Sequence, residues 1–131
     1  MAQHPVELIL LRQLASYLAT PMFVVDAAGT LVYYNEAAEP LLGRRFEDSD
    51  EMALKGWLAA FAPLELDGRS LAESANPLLV ALAERREQHH VLTIHSLDGR
   101  ERRIEATAIP LEGQAGRLLG AVAIFWPADP A

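Results

Sequence analysis

The chain has 131 residues, 51% of them apolar, no cysteine and a formal charge of −7. That is one domain's length with enough apolar mass for a core, and the acidic balance excludes a basic footprint for nucleic acid or an anionic membrane surface. Without cysteine there is no disulfide framework, no thiolate nucleophile and no cysteine-ligated zinc or iron–sulfur site.

Residues 5–19 read as a helix. Pro5 suits a first-turn position, and Glu7 lies near the positive end of the helix dipole. Leu8, Leu11, Leu14, Ala15 and Leu18 recur at spacings of three and four, and Ile9 and Leu10 widen that face. Thr20-Pro21 is expected to stop the helix, because a residue before proline avoids the α region. No basic segment precedes this stretch, and Arg12 and Gln13 interrupt it, so it does not read as a signal peptide. The apolar runs fall short of the roughly 20 residues a membrane span needs. The expected compartment is the cytoplasm.

Met22 to Val25 and Leu31 to Tyr34 read as paired strands, with Asp26 to Thr30 between them and Gly29 supplying a positive φ. Asn35 sits where an N-cap is expected, before a short helix that ends near Gly43. Residues 44–75 are the least regular, and Phe46 to Glu51 read as an acidic loop. Met52 to Phe61 form a candidate helix with Leu54, Trp57, Leu58 and Phe61 on one face. Asn76-Pro77 is a helix start, and Leu78, Leu79, Leu82 and Ala83 continue as a stripe to about Glu87.

The last third is β. Gln88 to Ser96 alternates weakly, and Leu97-Asp98-Gly99-Arg100 is a hairpin signal. From Arg102 to Leu111, Arg103, Glu105 and Thr107 alternate with Ile104, Ala106 and Ala108, so one face is expected to be buried. Leu118 to Trp126 is apolar on both faces and should be covered on both sides.

Three pieces in this order, VVDAAGTLVYYNEAAEPLLG, LDGRERRIEATAIPL and LLGAVAIFW, resemble a PAS domain over about residues 20–127. The division expected is a flanking helix at 1–20, the PAS domain at 21–127 and a frayed tail at 128–131. The resemblance implies an α+β fold: a five-stranded antiparallel sheet with short helices on one face, a space between them that can hold a small ligand, and an N-terminal flanking helix on the other face. It implies a sensory or protein-interaction module in signal transduction or transcription regulation, not an enzyme.

Alternation then nominates a pocket. Phe23, Val25, Leu31, Tyr33, Thr93, Ile104, Ala106, Val122 and Ile124 are expected to face inward from the sheet. Leu42, Phe46, Trp57, Phe61, Leu79 and Leu82 are expected to meet them from the helices. Such walls suit a small apolar ligand, and they equally suit a filled core with no ligand. The family's light-sensing flavin and covalent chromophore chemistries need a cysteine, which this chain lacks. Haem-binding relatives use a histidine on the long helix, and here Pro77 to Glu87 has none, although His89 and His90 follow closely and His95 lies on the next strand. Haem held by His89 or His90 is therefore kept as a minor alternative, and the cofactor stays open. A small enzyme using these histidines is the alternative from another class. On the final strand Leu119, Ala121, Ala123 and Phe125 are expected on the outer face, under the helix. Leu8, Leu11, Leu14, Leu18, Leu119 and Phe125 are thus the candidate interface of a homodimer, and a signalling protein is a further candidate partner.

Overall fold

In the computed structural model, residues 5–128 are described; part of the expected 1–20 segment and most of the expected tail lie outside them. The helices are α1 (Val6–Ala15), α2 (Glu39–Leu42), α3 (Phe46–Ser49), α4 (Leu54–Phe61) and α5 (Pro77–Glu84). The strands are β1 (Met22–Asp26), β2 (Leu31–Tyr34), β3 (Gln88–His95), β4 (Glu101–Glu112) and β5 (Leu118–Pro127). They form one antiparallel sheet in the order β2-β1-β5-β4-β3. β5 is central, which is why it is apolar on both faces.

Two apolar layers result. Helices α2 to α5 cover the inner face, where Phe23, Tyr34, Trp57, Phe61 and Phe125 form the heart of the larger core. Helix α1 covers the outer face, and Leu8 and Ala15 pack there with Met22, Val24, Val32 and Val122. Short bridges from Met52 to Leu31 and from Leu64 to Thr93 shield parts of both sheet edges.

The hairpin between β1 and β2 forms as its residues dictate. The Asp26 carboxylate accepts from the amides of Ala28 and Thr30, both at 3.0 Å, and Gly29 takes φ +88°. Asn35 caps the turn that follows, accepting from Ala38 N at 3.2 Å.

Three expectations are corrected. Helix α1 ends at Ala15, not near residue 19. The carbonyls of Ala15, Leu18 and Thr20 turn toward the Asn35 amide, at 3.0, 3.4 and 2.8 Å, so the chain leaves the helical path early. The expected loop at Phe46 contains the one-turn helix α3, because the Phe46 ring is held edge-on by Tyr33 and Tyr34 and its amide donates to Glu39 at 3.2 Å. Helix α5 stops at Glu84, since Arg85 adopts a left-handed conformation.

Candidate ligand cavity

The candidate pocket is built where α4 and α5 lean over the inner face of the sheet. Helix α4 turns Trp57 and Phe61 inward, and both meet the Phe23 ring edge-on at 5.3 and 6.0 Å. The Trp57 indole N–H donates to Gly29 O at 2.8 Å, which fixes the ring. Helix α5 is anchored by Asn76, whose Oδ1 accepts from Leu78 N at 3.1 Å and Leu79 N at 3.5 Å. Small residues at Ala106 and Ala123 leave the opposite wall recessed. A cavity of about 80 Å³ remains.

Six of the expected residues line it: Phe23, Leu42, Trp57, Phe61, Ile104 and Ala106. Pro63, Asn76, Pro77, Leu78, Leu92, Ile94, Ala123 and Phe125 complete the wall. Val25, Leu31 and Phe46 belong to the same core but stand away from the cavity, and Leu82 packs half-buried at the core's edge. Leu79 is also half-buried, and Leu78 takes the lining position, because the inward face of α5 runs through Leu78 and Ala81.

The other differences are errors of strand phase. Val122 and Ile124 pack on the outer side, under α1, whereas Ala121, Ala123 and Phe125 face inward. β5 is apolar on both faces, so its alternation carries no sign. Phe125 therefore lies in the inner core and not at an outer interface. Leu119 stays on the outer side beside Leu8 and Leu11, because a bulge between Leu111 and Glu112 shifts the register there. Thr93 points away from the cavity while Leu92 and Ile94 line it. In β2 an irregularity in the pairing sets Leu31 and Tyr34 inward and leaves Tyr33 at the rim, with the Arg12 guanidinium 4.7 Å above its ring. The bulge turns the large Tyr34 inward, and no residue pattern within β2 signals it.

Charge is absent from the wall. The histidines are occupied elsewhere: His89 contacts Thr107 at 2.7 Å, His90 contacts Glu65 at 2.9 Å, and His95 lies 3.2 Å from Glu101. None of the three lines the cavity. Burial pushes the Tyr34 hydroxyl above the 10.0 of an ordinary tyrosine, so it remains a neutral donor, to Arg44 O at 2.8 Å. Among the described residues no group of three His, Asp or Glu side chains is placed to hold a metal ion, and no helix is long and apolar enough to cross a membrane.

A family model described as PAS fold matches residues 18–128. Among solved structures, the chain is similar to the PAS domain of a protein from Colwellia psychrerythraea, at 18% identity and a TM-score of 0.64, covering 93% of this chain and 97% of that one. The PAS domain of nitrogen regulation protein NR(II) from Vibrio parahaemolyticus is 20% identical with a TM-score of 0.63, covering 91% and 98%. A PAS domain from a two-component sensor histidine kinase is 15% identical with a TM-score of 0.62, covering 94% and 97%. No curated relative matches.

Proposed function

We propose, for a chain that belongs to the PAS-fold family, a sensory and protein-interaction module of signal transduction that takes a small apolar ligand in its inner cavity. The observation that carries this reading is the cavity itself: about 80 Å³ bounded almost wholly by apolar side chains, directly against the sheet. Matches to PAS domains of a nitrogen regulation protein and of a sensor histidine kinase support the signalling role. In this reading the module acts by binding, in keeping with the apolar character of its wall. The alternative of haem held by His89 or His90 draws no support from their places, since both side chains have partners away from the cavity.

Occupancy is reported through α1. Asn35 ties the carbonyls that end α1 to the start of β1, whose Phe23 is a cavity wall. Arg12 of α1 also lies over the rings of Tyr33 and Phe46, at 4.7 and 5.4 Å. The output surface is the outer side of α1, where Leu10 and Leu14 are exposed, with the exposed Leu18 just beyond the helix end, and there a second copy docks.

Native mass spectrometry of the freshly purified chain tests the reading. The expected result is an added mass of a small organic molecule, lost when Ala106→Leu fills the cavity. Bare protein in repeated preparations, with no uptake of added small apolar compounds, would favour a filled structural core.

A further inference from the structure

The cavity wall carries one feature that an apolar container does not need. Only Trp57 and Asn76, of the lining residues, have a polar atom in the side chain. The Trp57 N–H is already spent on Gly29 O at 2.8 Å. Asn76 is only 6% exposed, and its Oδ1 is spent on the amides of Leu78 and Leu79. Those two bonds fix which end of the amide is oxygen, since only the oxygen can accept. They leave Nδ2, with its two N–H donors, without a partner among the described residues. Nδ2 is not among the fully sealed atoms, so it keeps some accessible surface. A nearly buried donor that bonds to nothing is costly and calls for a partner.

We infer that Asn76 is the specificity residue of the cavity and that its Nδ2 donates a hydrogen bond to the ligand. This rests on the ligand-binding reading above and narrows the ligand's chemistry. The ligand is neutral, because a charge here would be desolvated with no counter-charge on the wall. It carries one oxygen acceptor, an ether, ketone or aldehyde, on an otherwise hydrocarbon body. It is small: 80 Å³ is about half the roughly 150 Å³ that takes up benzene. Scaled from benzene, the rigid space holds about three non-hydrogen atoms, so a five-membered ring enters only as the side chains of the wall give way. The same side chain caps α5 through Oδ1 and reads the ligand through Nδ2. Ligand capture therefore pulls directly on the first turn of the helix that closes the cavity.

The test uses two probes of one shape, tetrahydrofuran and cyclopentane, titrated into the full chain while its amide spectrum is followed. Both are expected to bind the wild type. Asn76→Asp keeps a capping oxygen and removes the donor, so it is expected to lower the tetrahydrofuran-to-cyclopentane affinity ratio about fivefold. In the wild type, the Asn76 side-chain amide resonances are expected to shift downfield with tetrahydrofuran and not with cyclopentane, a readout that needs no variant. An unchanged ratio in a folded Asn76→Asp protein, or equal amide shifts with both probes, overturns the role of Asn76 and leaves the cavity as a plain apolar site. Failure of both probes to bind, or binding that survives Ala106→Leu, overturns the ligand-binding reading as well.

Discussion

Asn35 shows how much one short polar side chain can organise. It is 1% exposed, yet every polar atom of its amide is used. Oδ1 accepts from Met22 N at 3.0 Å and Ala38 N at 3.2 Å, and Nδ2 donates to the carbonyls of Ala15, the last residue of α1, and of Leu18 and Thr20 beyond it. The N-cap half of this role is readable from Asn35 and the residues just after it. The other half is not, because its partners lie 15 to 20 residues upstream and only the fold brings them near. Asn35→Ala removes both halves and strands buried backbone groups, so it is expected to cost about 3 kcal/mol in chemical denaturation. Asn35→Ser keeps a cap but cannot reach α1. Hydrogen exchange should then speed up at Leu14 to Leu18 while the turn at Glu36 to Ala38 keeps its protection. Equal exchange in both segments would contradict the division of labour. Asn76 repeats the design at α5, with the difference that its nitrogen is left for something outside the chain.

Strand phase separates what the sequence disclosed from what it hid. β4 alternates charged and polar residues with apolar ones, and its inward residues Ile104, Ala106 and Ala108 follow from that alone. β5 has no polar residue between Leu118 and Trp126, so nothing local says which face is which. The answer comes from pairing: Ala123 lies opposite Ala108 and Phe125 opposite Ala106, which carries the inward face across from β4. β2 hides its phase for a related reason, since a bulge breaks period two within four residues. The two inward alanines of β4 also differ in surroundings. Ala106 borders the cavity, while Ala108 is fully buried away from it. Ala106→Val is therefore expected to stabilise by about 0.5–1 kcal/mol, as cavity filling with a residue suited to a strand. Ala108→Val is expected to destabilise by about 1–3 kcal/mol through overpacking. Thermal or urea unfolding of the pair checks both, and the same sign in each would mean that the cavity is not open as described.

At the scale of the whole molecule, the order of elements was the most legible property, because hairpin and cap signals at fixed points in the chain leave few ways to arrange five strands. The cover on the outer face was legible too, since an apolar β5 cannot face water on one side. What α1 does with its own far side was only partly so. Its apolar residues outnumber one face: Leu8 and Ala15 are buried against the sheet and Leu11 is half-buried, while Leu10 is 58% and Leu14 55% exposed. Beside them a groove runs between α1 and the end of β4, lined by Leu10, Leu11, Leu14, Pro110 and Leu111. Net charge of −7 disfavours self-association, yet among the described residues the acidic side chains bordering this groove are only Glu7 and Glu112. In the dimer we propose, a second copy presenting the same strip would fill the groove by two-fold symmetry, ridge into groove. Because Leu10 and Leu14 contribute little to the protomer's own core, replacing both by glutamate should leave folding intact and place like charges across the symmetry axis. Sedimentation velocity is expected to show a dimer for the wild type and a monomer for the Leu10→Glu, Leu14→Glu protein, with circular dichroism unchanged. A wild type that sediments as a monomer at high concentration would reject the dimer, and a double variant that still dimerises would move the interface elsewhere on the sheet.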